Sequence, residues 1–160
     1  MNNEPKKKAF QEFYADDVSH CYGCGKLNKE GLQIKSYWDG DEAVCTYTPK
    51  SYYTAIPGIV YGGLIASLID CHSTGTAAAA AYRADNREMG TEPSFRYVTA
   101  SLKVDYLQPA PIKGPLTIRA RVKEIKGRKV IVHSDLHAGE ELCARGEVIV
   151  VQMPEGWTGT

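Results

Sequence analysis

No apolar run in this chain approaches the ~20 residues that a membrane-spanning helix needs, so no segment of the sequence reads as a transmembrane span. An excess of charge is also missing: 19 basic residues face 19 acidic ones, and the net charge is zero. A nucleic-acid binder held mainly by phosphate contacts would carry a basic surplus. That class is set aside, which leaves room for a local basic patch around one phosphorylated ligand. No apolar stretch follows the lysine-rich start, so Met1 to Lys8 is expected to be a frayed tail rather than a secretory signal, and residues 1–19 as a whole a polar N-terminal tail ahead of the domain. The cysteines number five, an odd count, and only Cys21 and Cys24 lie close together. A secreted disulfide scaffold does not fit that pattern, and the expectation is a reduced, cytoplasmic chain. Internal repeats and low-complexity linkers are absent. The length suits one domain, placed at residues 20–160, which can bury a core without staples.

What is present is a strand-rich chain with one helix. Leu32–Lys35 alternates, and Ala43–Thr48 is a second extended run that Pro49 ends. Leu64 to about Tyr82 holds no proline, is rich in alanine, and is the one convincing helix. Arg83–Pro93 is charged and turn-prone. Then come strands over residues 98–108, 116–123, 129–133 and 141–152, with tight turns at Lys126-Gly127-Arg128 and at Gly139. The order implies an α+β fold, one helix set against one antiparallel sheet.

At 100° per residue, Leu64, Ile65, Leu68, Ile69, His72, Gly75 and Thr76 share one arc of the helix. Asp70 falls on the other side with Ala66, Ser73, Thr74 and Ala77. That face of small residues would admit another backbone closely. A carboxylate on a helix with so few charges needs a partner or a task. His72, on the apolar arc, reads as a hydrogen-bonded core residue. Gly62-Gly63 sits where the helix begins, and the N–H groups there could polarise a carbonyl. Gly62 and Asp70 are eight residues apart, ~12 Å along one helix. They cannot both touch one carbonyl carbon, so joint action would need a second copy of the chain.

Pro57-Gly58-Ile59-Val60-Tyr61-Gly62-Gly63, followed by six residues and Asp70, resembles the signature of hotdog-fold thioesterases of the phenylacetate-pathway type. That signature usually reads P-G-x-V-H-G-G, six residues, then Asp or Glu. Cys21 to Leu32 resembles the lead-in of one branch of the family. Val104 to Pro111, with Gly114-Pro115-Leu116, resembles the strand and turn after the helix. The resemblance implies a sheet wrapped around one central helix, assembled as a homodimer and often a homotetramer. It implies hydrolysis of an acyl-CoA thioester without a cofactor. Asp70 would activate or orient water, the Gly62 N–H would polarise the carbonyl, and Thr99 falls near the place of an assisting hydroxyl. Tyr61 stands where the family has His. A tyrosine hydroxyl can still donate one hydrogen bond, but it lacks an imidazole's protonation near neutral pH.

Other signals are weighed beside these. Lys126, Arg128 and Lys129, with Gly63 at the helix start, are candidates for holding the acyl-CoA, the three cations as a phosphate clamp. Cys21-x-x-Cys24 invites zinc, yet no second pair exists, and no bound metal is expected. Gly25 stands where haem attachment would need His. Cys71 and His72, adjacent on a helix, point ~100° apart and do not form a nucleophile pair. Two rivals to the hydrolase remain. One is a non-catalytic hotdog module that binds an acyl-CoA, favoured by Tyr61. The other is a dehydratase, disfavoured because Tyr61 removes its His.

Overall fold

The computed structural model describes residues 6–157. Strands β1 (Tyr37–Asp39) and β2 (Glu42–Tyr47) precede helix α1 (Gly62–Ala84). β3 (Tyr97–Tyr106), β4 (Leu116–Lys126), β5 (Lys129–Ala138) and β6 (Glu141–Gln152) follow it. The six strands form one antiparallel sheet in the order β1-β2-β4-β5-β6-β3, and α1 packs on its inner face. This is the hotdog arrangement, an α+β sheet wrapped around one long helix.

Alternation along the strands sets the two faces of the sheet. On β4, Leu116, Ile118 and Ala120 are buried while Arg119 and Arg121 are exposed. On β5, Val130, Val132, Ser134 and Leu136 point inward. The outer face carries ion pairs such as Arg119–Asp39 at 3.0 Å and Arg145–Asp135 at 3.1 Å. These exposed pairs contribute little to stability and mainly keep that face solvated. Inside, Leu64, Leu68 and Ile69 of α1 are fully buried against the strands. Helix and sheet approach closely at Gly146 on β6, where a Cβ would lie 2.3 Å from Cγ2 of Ile69.

Three expectations need correcting. First, the helix is buried more completely than a two-faced pattern suggests. Ser73 and Ala77, placed beside Asp70 on the face of small residues left for another backbone, are buried within the chain, and Ser73 Oγ lies 2.7 Å from Ser134 Oγ of β5. The half-buried stripe narrows to Ala66, Ser67, Asp70 and Thr74. Second, Leu32–Lys35 is not a strand. Leu32 N–H donates to the Tyr22 carbonyl and Ile34 N–H to that of Gly23, with Gln33 between them at φ 56°. The segment's alternate burial comes from lying against the cysteine-containing turn, and the short β1 begins only at Tyr37.

Third, the polar lead-in past Lys8 is packed structure rather than a tail. Phe10–Phe13 is a 3-10 turn, with Ala9, Phe10 and Gln11 buried. The Gln11 amide accepts from Ser36 N–H at 2.8 Å and donates to Ser36 Oγ at 3.1 Å. The domain therefore includes residues before 20. Residues 1–5 and 158–160 of the expected tail and domain lie outside the described residues.

The Gly146 contact predicts a stability effect. Gly146→Ala forces a methyl into Ile69 and should cost about 1–3 kcal/mol, the range for overpacking a core. A urea melt measures it, and an unchanged midpoint contradicts this packing.

Candidate active site

Asp70 lies in the third turn of α1, and Thr99 reaches it from β3. Thr99 Oγ1 donates to Asp70 Oδ1 at 2.6 Å. Thr74 Oγ1, one helical turn on, donates to the Asp70 carbonyl at 3.0 Å and lies 3.2 Å from Thr99 Oγ1. Thr99 stands at a β-bulge: the β3–β6 register shifts between Thr99 and Ser101, leaving Ala100 unpaired. Such a bulge bends a strand and re-aims its side chains. Burial raises the pKa of Asp70 above the ordinary carboxylate value, and the Thr99 hydrogen bond partly opposes that rise.

Asp70, Thr74 and Thr99 form part of the wall of a cavity of about 380 Å³ between α1, the lead-in and the start of β3. Most of the remaining wall is apolar or aromatic, including Phe13, Tyr82, Phe95 and Trp157. Tyr82 and Phe95 meet edge to face, with centroids 5.0 Å apart. The volume is at the lower end of the roughly 300–1,000 Å³ of ligand pockets. One ionisable carboxyl at the wall of an apolar cavity can move a proton to or from whatever fills the space.

Tyr61 and Gly62 do not line this cavity. Tyr61 is the N-cap residue of α1 and Gly62 its first helical residue. The helix thus starts two residues earlier than its periodicity suggests, and both glycines stand in its first turn with N–H groups that lack an intrahelical acceptor. The Tyr61 ring is 38% exposed and leans edge-on against Tyr53, centroids 6.5 Å apart. Tyr106, which the sequence reading passed over, donates its hydroxyl to the Gly62 carbonyl at 2.8 Å. Its place at the end of β3 gave no signal for that contact. Within one chain the candidate residues therefore fall into two groups, Asp70 with Thr99 and Tyr61 with Gly62.

The basic turn is a hairpin tip. Lys126, Arg128 and Lys129 are exposed, and the Arg128 guanidinium donates to the Gln152 carbonyl at 2.6 and 3.2 Å. Met153, the next residue, lines the cavity. Gly63 is exposed at the helix start, away from these cations in sequence. His72 is fully buried. Its Nε2–H donates to the Ala43 carbonyl at 3.1 Å and Nδ1 accepts from Ser36 Oγ at 2.8 Å. Burial lowers its pKa to about 4, so it is neutral and structural. Cys71, its neighbour, points elsewhere, with its Sγ 3.8 Å from that of Cys21.

A helix-borne carboxylate, a strand threonine and a glycine helix start on a hotdog frame define a class, and comparison with known proteins agrees. The thioesterase superfamily model matches residues 57–145, more than half the chain, so the chain belongs to that superfamily. A thioesterase superfamily protein from Shewanella loihica PV-4 is 45% identical. The match covers 88% of this chain and 100% of that one, with a TM-score of 0.67. Acyl-coenzyme A thioesterase THEM4 of Xenopus laevis is 34% identical over 98 residues, 61% of this chain and 38% of that protein. This chain thus spans less than half the length of that curated relative. The Escherichia coli PaaI protein from the phenylacetic acid degradation operon is 17% identical over 77% of this chain and 81% of that one. With a TM-score of 0.62, it shares the fold.

Thr99→Val removes the bond that opposes burial. The pKa of Asp70 should then rise further above its ordinary value, followed by NMR titration of its carboxyl carbon. A lower or unchanged midpoint would mean that Thr99 does not tune this carboxylate.

Proposed function

We propose that the chain hydrolyses an acyl-CoA-type thioester to free acid and thiol. The observation that carries this reading is Asp70: a carboxylate hydrogen-bonded to Thr99 on the wall of an apolar cavity. An acyl chain fills the cavity and brings its carbonyl carbon towards Asp70. Asp70 takes a proton from water, and the oxygen adds to the carbonyl carbon. The carbonyl electrons move to oxygen, where a backbone N–H stabilises the charge. The tetrahedral species collapses, the C–S bond breaks, and the leaving sulfur receives the proton from Asp70. Direct attack by the carboxylate gives the same products through an anhydride that water then opens. Either route uses water and the chain's own groups, without a cofactor.

The N–H donor in this proposal is Gly62 of a second copy, because Gly62 and Asp70 of one helix are ~12 Å apart. A homodimer also accounts for β3. This edge strand is exposed along Thr99–Lys103 and carries exposed Leu102 and Tyr106. An open edge with apolar side chains is a surface for pairing with another strand. A pair of such dimers would make the homotetramer. Lys126, Arg128 and Lys129 supply positive charge for the CoA phosphates, with Arg128 already braced on Gln152. Gly63, exposed in the first helical turn, is a further contact for the acyl-CoA in this reading. The zero net charge fits a small anionic ligand better than a nucleic acid. No helix among the described residues is long and apolar enough to cross a membrane. Five free thiols favour a reducing, cytoplasmic setting.

Tyr61 favours a second reading. At the family's His position it supplies a phenol in place of an imidazole, and it lies off the cavity. A chain that holds an acyl-CoA without cleaving it would tolerate that change.

Asp70→Asn separates the two. Loss of a general base costs ~10²–10⁴-fold in rate, so turnover of acyl-CoA should fall by that factor while the melting temperature and acyl-CoA affinity change little. Unchanged turnover in folded Asp70→Asn protein would take Asp70 out of the mechanism and favour the binding module.

A further inference from the structure

One group at the cavity wall has no part in the hydrolysis. Cys21 and Cys24 of the lead-in turn meet Cys71 of α1, fifty residues on, and the three sulfurs lie within 4.8 Å of one another. The Cys21 and Cys71 sulfurs are 3.8 Å apart. A tetrahedral zinc ion with Zn–S bonds of about 2.3 Å needs sulfurs about 3.8 Å apart. The sequence argument against a metal rested on the lack of a second cysteine pair. The fold supplies a third thiol from the helix, which no spacing in the sequence announces.

The turn is built to hold this geometry. Gly25 N–H donates to the Cys21 carbonyl at 2.8 Å, and a Cβ at Gly25 would lie 2.5 Å from the Ser19 carbonyl oxygen. A Cβ at Gly23 would lie 2.3 Å from Cys71 Sγ, so only glycine lets the turn rest on the helix there. Leu32 and Ile34 N–H groups pin the turn from its other side.

We propose that Cys21, Cys24 and Cys71 form a three-thiolate site for a zinc ion, with the fourth coordination position facing the cavity that Asp70 also lines. Thiolate ligands select zinc over magnesium or calcium, which prefer oxygen. Binding displaces the thiol protons, and three thiolates around Zn2+ leave a cluster of net charge −1. All three cysteines line the cavity, so a donor in the cavity can complete the tetrahedron.

The test reads metal rather than turnover, so it stands or falls apart from the hydrolase reading. The chain is reduced, stripped with a chelator and titrated anaerobically with Co2+. The expected result is saturation at one ion per chain. It comes with thiolate-to-cobalt charge transfer in the near ultraviolet and the strong visible bands of a tetrahedral ion, and added zinc abolishes both. Cys21→Ser, Cys24→Ser and Cys71→Ser should each weaken binding by at least about tenfold, and Cys45→Ser and Cys143→Ser should not. Circular dichroism checks folding. If Cys71→Ser does not fold, the Cys21 and Cys24 variants, at more accessible positions, decide the matter. Absence of the charge-transfer band in the folded, reduced chain overturns the proposal. Binding that survives Cys71→Ser, or is lost equally in Cys45→Ser or Cys143→Ser, overturns it as well.

Discussion

One unbroken helix sets the terms for the rest of the molecule. α1 runs from Gly62 to Ala84 with its apolar side chains locked into the sheet, so the spacing between its first turn and Asp70 cannot relax. That spacing, ~12 Å, separates the proposed oxyanion donor from the proposed base. It also fixes what each neighbourhood can do. The first turn offers unpaired N–H groups beside Tyr61 and Tyr106. The third turn offers a carboxylate beside Thr99 and an apolar cavity. In the proposed function a second copy unites them, docking at the open β3 edge next to Asp70.

The cavity owes its shape to parts of the chain far from the helix in sequence. Phe13 and Tyr14 of the lead-in, Phe95 and Tyr97 around the start of β3, and Trp157 all line it. Burial among these rings raises the Asp70 pKa, while one hydroxyl on a bulged strand restrains the rise. The same lead-in carries the cysteine turn onto α1, so the cavity beside Asp70 and the thiol cluster share a wall.

Much of this was legible in the sequence. The alternation in β4–β6 and the alanine-rich, proline-free run of α1 gave the elements, because local periodicity reports which face is buried. The motif from Pro57 to Asp70 pointed to the helix start and the carboxylate. Contacts between distant segments were not legible. The lysine-rich start drew residues 9–13 into a polar lead-in, which hid a buried Phe10 and a Gln11 tied to Ser36. Leu32–Lys35 alternated for a reason other than strand pairing. Thr99 could be placed near Asp70 by resemblance, but the bulge that aims it arises from the β3–β6 register. Cys71 could be shown not to face His72, yet nothing in its spacing linked it to Cys21 and Cys24.

The central claim is that one active site draws Gly62 from one chain and Asp70 from another, and subunit mixing tests it most directly. Proline is tolerated at the first helical position and has no N–H. Tyr61, with φ −71° and ψ 144°, already has the extended backbone that a following proline requires. Gly62→Pro should therefore remove the donor and keep the helix. Gly62→Pro and Asp70→Asn homodimers should each be nearly inactive on acyl-CoA. Co-refolded, they should form mixed dimers in which one of the two sites is intact, and activity should return to a fraction of the wild-type level. If both variants fold, mix and stay as inactive together as apart, the two residues do not meet across an interface and the shared site is wrong.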